Sequence, residues 1–294
     1  MQSKDRLSKI VDHPWFMGLV AGAMAVASLK SPPLVFLSGP PIGFLALGGL
    51  LREQVIGLVL ALLLLVTGMV ILGMLSVPAV ASVFWIWFLF LVLARIFLWK
   101  KTLSGPLLVV GVLMSVQVLM VNLVRPEWQV FLPFGIGAGH DYRTAIAALK
   151  VMEGAEPRLL AGFTTILAGY AVFAGFVFSL WAKERLGTPV EVVRAFAGIG
   201  FSRRIVFLVV FGVWLGGLLE LALLEDLLMV WISIYAVVGL AVLEGVIQVR
   251  RLPRLWMLPA WLLLLLAPPE ILVTLALVGS VDAFVHFRDQ GEGR

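Results

Sequence analysis

The chain has 294 residues, of which 62% are hydrophobic and only 13% charged, and its mean hydropathy is +1.08. A soluble globule needs about 25% charged residues to cover its surface, so soluble enzyme, nucleic-acid binder and secreted disulfide scaffold are disfavoured together. An all-α polytopic membrane protein is expected instead, and the net charge of +5 sits at the ends of apolar runs, the pattern that sets membrane topology.

Lys4, Arg6 and Lys9 precede an apolar run from Trp15 to Leu29, with Ala25-Val26-Ala27 resembling a cleavage site. Further apolar runs follow at once, so this one is read as an uncleaved first span. A hydrocarbon core of about 30 Å asks for roughly 20 helical residues. Runs that meet or approach this are 14–29, 33–51, 54–76, 82–99, 105–124, 161–182, 204–224 and 227–248. The final run, 255–287, is too long for one span, and Pro268-Pro269 inside it predicts a hairpin of two pieces, 255–267 and 269–287. The expectation is one integral membrane domain over 1–294, a transmembrane helical bundle of eight to ten membrane segments.

Small residues over Ala21–Ser28 let another helix approach the first span closely, either within the chain or from another subunit. The second span opens at Pro32-Pro33 and is interrupted at Pro40-Pro41 with glycines alongside, a broken segment that either lines a cavity or packs as a kink. The outer connection, 125–160, holds a short amphipathic helix from Asp141 to Met152, ended by Gly154. The cytoplasmic connection, 183–204, contains Thr188-Pro189-Val190-Glu191, a capping-box arrangement. Its apolar face (Val190, Val193, Phe196, Ala197) is flanked by Arg194, Arg203 and Arg204, which suits a helix resting on anionic lipid or receiving a protein partner.

Alternating spans from an inner N-terminus place sixteen lysines and arginines inside and five outside (Lys30, Arg125, Arg143, Lys150, Arg158), with Arg95 within a span. Both termini are therefore expected in the cytoplasm. Reporters after residues 30 and 140 are expected outside, and after 101, 190 and 294 inside.

Ionisable groups in a span are costly and so draw attention. Arg95 can snorkel toward Lys100, while Glu220, Glu225 and Asp226 sit at an outer turn in solvent. Glu244 is placed to pair with Arg250 or Arg251, and Asp282 with Arg288 or with the inner cluster Arg203, Arg204, Arg250 and Arg251, as structural ion pairs. Gln117 and Asn122 in one span and Tyr170 in the next either hold helices together or, with Asp141 and Arg143 of the outer loop, line a pocket open to the outside. No phosphate-binding loop, H-E-x-x-H or G-x-S-x-G motif is present, and the three histidines are far apart. No catalytic residue, metal or cofactor is expected.

Three stretches resemble the YybS-like family of bacterial membrane proteins. They are Leu34 to Gly57 with its Pro40-Pro41-Ile42-Gly43, Arg194-Ala195-Phe196 through Ser202-Arg203-Arg204, and the C-terminal third with Gly279-Ser280-Val281-Asp282 and the ending Phe287-Arg288. That family is distantly similar to the S components of energy-coupling-factor vitamin transporters. The resemblance implies a bacterial inner-membrane protein whose first-helix alanines, Ala21 and Ala25, dock onto a transmembrane partner subunit. The leading expectation is a non-enzymatic membrane protein that binds or transports a small molecule in the manner of an S component. The alternative is a structural or assembly protein that binds lipid or a protein partner through Phe196, Arg203 and Arg204. Membrane lipids are expected partners in both, and nucleic acid in neither.

Overall fold

The computed structural model describes residues 13–28, 35–48, 51–73, 77–123, 157–186, 191–219, 222–257, 259–260, 262, 268–285 and 287. These form α1 (Pro14–Ser28), α2 (Val35–Gly48), α3 (Leu51–Ile71), α4 (Val77–Lys100), α5 (Ser104–Leu123), α6 (Pro157–Arg185), α7 (Val192–Ala197), α8 (Arg203–Leu219), α9 (Ala222–Val249) and α10 (Pro268–Val285), with no strand among the described residues. Four helical stretches are long and apolar enough to cross a membrane: Arg52–Ile71, Val83–Lys100, Thr165–Arg185 and Asp226–Val249. Pro14–Ser28, Val35–Gly48 and Ser104–Met120 are shorter apolar helices. The amphipathic helix expected over 141–152 lies outside the described residues. The helices sort into two compact units, residues 1–100 with 119–192 and residues 101–118 with 193–294. Hydropathy carries no boundary between them.

In the first unit α2 is the hub. It runs unbroken through Pro40 and Pro41, where the sequence predicts an interruption, and eleven of its fourteen residues are buried. Each proline lacks an N–H, so the carbonyls of Phe36 and Leu37 lose their ordinary intrahelical donors. The helix is nonetheless packed on several sides. Gly39, Gly43 and Gly175 of α6 leave room for the ring of Phe90 from α4, which is fully buried between them. Contacts climb together along α2 and α6, from Gly43 against Ser179 to Gly48 against Lys183, so these two helices run parallel. Phe97 of α4 meets Phe176 of α6 edge-to-face at 6.1 Å, and Trp87 of α4 reaches Ser38 of α2.

The small face of α1 meets α3. Gly18 abuts the carbonyl of Gly57, a methyl at Gly22 would lie 2.9 Å from the carbonyl of Ala61, and Val26 packs on Gly68. Residue numbers rise together, so α1 and α3 are parallel. In lipid, dispersion contacts rather than water exclusion hold helices together, and glycines permit the close approach that such contacts need.

In the second unit α9 and α10 are pressed equally close. Gly239 abuts the carbonyl of Leu275, while a methyl at Gly279 would sit 2.8 Å from the nitrogen of Gly239. Gly279 also faces the carbonyl of Tyr235. Numbers fall along one helix as they rise along the other, so α9 and α10 are antiparallel. A hairpin of crossing pieces 255–267 and 269–287 requires the last helix to run parallel to α9, so the packing corrects that reading. Met257 and Ala260 instead fold back onto the cluster of Ala236, Leu240 and Leu275.

α9 ends without glycine. Leu252 N–H donates to the Ile247 carbonyl at 2.9 Å and Arg251 N–H to that of Gln248 at 3.1 Å, with Arg251 left-handed at φ 52°. This is a Schellman closure, and its left-handed position costs an L-residue about 1–2 kcal/mol that glycine avoids. Arg251→Gly is therefore expected to raise the melting temperature in detergent, by no more than that amount of stability.

Candidate functional site

Polar side chains at depth in the first unit form a ladder along α2. Ser38 donates to the Val35 carbonyl at 2.6 Å and accepts the indole N–H of Trp87 at 3.0 Å. The Ser179 hydroxyl lies 2.9 Å from the Pro40 carbonyl and 3.0 Å from that of Gly175, with both carbonyls open to its proton. The last rung is Lys183, which is 6% exposed, with Nζ 4.0 Å from the centre of the Phe44 ring and packed against Gly48. The C-terminal end of a helix carries partial negative charge, so a cation there offsets the dipole, and the aromatic face below it adds a second attraction. Ser179 and Lys183 are four residues apart and share one face of α6. That polar pair in an apolar span is the sequence signal for this rung. Lys183→Met is expected to cost about 2 kcal/mol, read as a lowered melting temperature in detergent.

The sequence candidates fall in several places. Gln117 is buried in α5, within the second unit, and Tyr170 is half-buried on α6, within the first. Asp141 and Arg143 lie outside the described residues, as does the side chain of Asn122. Ala21 and Ala25 are fully buried on α1, whose small face is occupied by its own chain.

The connection before α8 is held more firmly than a surface helix. Its Thr188-to-Val190 part lies outside the described residues, and the helix covers only Val192–Ala197. Val192, Ala197 and Ile199 are buried, and Phe196 packs against the Ala236–Leu240–Leu275 cluster. The Gly200 N–H donates to Ser104 Oγ at 3.1 Å, and Gln248 Nε2 donates to the Val193 carbonyl at 3.4 Å. Arg194, Arg203 and Arg204 remain exposed.

Of the groups expected in ion pairs, Glu244 is buried and accepts from Gln248 Nε2 at 3.1 Å, one turn along. Asp282 is 6% exposed and accepts the Phe287 N–H at 3.1 Å, closing the end of α10. The antiparallel register sets Asp282 level with Ile232, about 27 Å along α9 from Arg250, so that arginine is out of reach. Arg288 lies outside the described residues. Arg203 does reach the end of α10, but through the backbone: its Nε–H donates to the Ala283 carbonyl at 3.1 Å and its guanidinium lies 6.0 Å over Phe284. Asp226, expected in solvent, is buried.

Tyr235 is a residue that reasoning from the sequence misses, since one tyrosine in an apolar span carries no pattern of its own. It is 4% exposed, with Phe201 edge-on at 5.6 Å and Trp231 at 6.5 Å, and its hydroxyl has no hydrogen-bond partner among the described residues. Comparison of the chain with protein-family models, with curated proteins and with solved structures finds no match.

Proposed function

We propose that this is a non-enzymatic integral membrane protein that acts by holding a partner, with the basic connection between α6 and α8 as its contact element. One observation carries this reading. Residues 191–204 are anchored by buried apolar side chains and by hydrogen bonds at Val193 and Gly200, while Arg194 and Arg204 stay exposed. A basic edge that is already ordered loses little conformational entropy on binding. The polar groups at depth support a binding protein over a catalyst, because Ser38, Ser179 and Lys183 are engaged between helices, while Glu244 accepts from Gln248 within α9 and Asp282 closes the end of α10. The test is purification of wild type and of an Arg194→Gln/Arg204→Gln variant in mild detergent, with co-purifying proteins quantified by mass spectrometry. The variant should melt like wild type and lose its partner more than about tenfold. Equal recovery overturns the reading.

Tyr235 favours a second reading, small-molecule binding of the S-component type to which the YybS-like resemblance points. A buried hydroxyl without a partner costs about 1–3 kcal/mol, and a ligand acceptor would recover it. Docking through Ala21 and Ala25 would in addition require α1 to leave α3. A small molecule that co-purifies with wild type and is released by Tyr235→Phe supports this reading, and a ligand-free wild type ends it. For location we propose the bacterial cytoplasmic membrane. The end of the first unit where α4 and α6 finish and α3 begins collects Arg52, Lys100, Lys183 and Arg185, and we assign it to the cytoplasmic side.

A further inference from the structure

That end of the first unit carries two matched pairs. Lys100 Nζ lies 5.5 Å from the centre of the Trp99 ring, and the Arg185 guanidinium lies 5.3 Å from that of Trp181. Trp99 is 80% exposed and Trp181 44%. α4 and α6 lie against one another through Phe97 and Phe176, and both run in the direction of α2, so both pairs finish at one end. Arg52, exposed in the first turn of α3, belongs to the same end, where Gln54 donates to the Ala46 carbonyl near the finish of α2.

An indole this exposed is costly in water and is at home among lipid headgroups, where its apolar body and its N–H each find a suitable neighbour. The cation over each ring is held by the ring face, and its N–H donors remain able to reach phosphate oxygens at that depth. The acids nearby in sequence are Glu53 and Glu184. With Arg52, Lys100, Lys183 and Arg185 counted against them, the formal charge of the group is four positive less two negative, or +2. A zwitterionic headgroup brings its own cation to such a rim, whereas an anionic one leaves a charge for the rim to meet. We infer that the rim formed by Trp99, Lys100, Trp181 and Arg185 is a binding surface for anionic phospholipid headgroups.

The test uses the full chain in detergent micelles supplied with phosphatidylglycerol or phosphatidylcholine, with retained lipid counted by native mass spectrometry. Wild type should retain phosphatidylglycerol preferentially. Lys100→Gln and Arg185→Gln should each reduce that preference about fivefold, and the double variant roughly 25-fold. The charge-conserving Lys100→Arg and Arg185→Lys should keep it. Should the double variant fail to fold, the four single variants carry the comparison. Equal retention of the two lipids by wild type overturns the proposal, as does a preference that survives both glutamines. Inorganic phosphate at the same concentration should not displace the lipid, and displacement would reduce the rim to a general anion site.

Discussion

Gly239→Ala is expected to destabilise the second unit by about 3 kcal/mol or more, seen as a large drop in melting temperature in detergent. The new methyl would enter the carbonyl of Leu275, which is backbone and cannot move by changing rotamer. α9 and α10 would have to separate. Separation would loosen Gly279 from Tyr235 and open the cluster of Ala236, Leu240 and Leu275. In lipid the loss is not offset elsewhere, since close packing is itself the attraction between helices. Gly212→Ala is the matched control. A methyl there meets nothing within 4 Å, so the helical preference of alanine should leave stability unchanged or raise it by up to about 1 kcal/mol. If both variants melt alike, the contact between α9 and α10 is not what holds this unit.

Residues 251 and 294 are expected on opposite sides of the membrane. α9 ends at Val249, and the register of Gly239 with Leu275 and of Tyr235 with Gly279 sends α10 back toward the Asp226 end. A helix of 18 residues is about 27 Å long, close to the hydrocarbon thickness, so an α10 that crosses the core would end on the side opposite its start. The chain contains no cysteine, which makes the measurement clean: Arg251→Cys and Arg294→Cys can each be labelled with a membrane-impermeant maleimide in intact cells and in inverted vesicles. One variant should react from each side. Reaction of both from the same side would restore the hairpin of 255–267 and 269–287 and both termini to the cytoplasm, and would contradict the antiparallel packing.

Much of the helical layout is legible in the amino-acid sequence. Every described helix from α1 to α6 falls on or close to an apolar run, and α10 begins at Pro268, where the paired prolines mark a break. A proline at the first helical position gives up only an N–H that would go unused there. The interruption expected at Pro40-Pro41 is absent, because helices packed around α2 stabilise a backbone that proline chemistry alone would break. The candidate residues are less evenly legible. Asp282 and Glu244 stand out as buried charges from their place in apolar sequence, while the backbone N–H of Phe287 and the amide of Gln248 that they accept from become visible only in the structure.

The amino-acid sequence by itself determined that the chain is helical and fitted to a membrane. Thirteen per cent charged residues cannot cover a soluble surface, and a backbone in lipid must satisfy its hydrogen bonds within each helix. Direction and partnership were decided only by tertiary structure. When nearly every face of a helix is apolar, periodicity no longer distinguishes the face that meets a neighbour from the face that meets lipid. The small residues of α1 announce a close approach without saying that α3 fills it. Lys183 reads as one more inner-side charge until Phe44 and Gly48 close over it, and the sense of α10 follows from two glycines meeting two carbonyls. Such contacts join residues dozens of positions apart, and local sequence does not encode which of many similar apolar surfaces will come together.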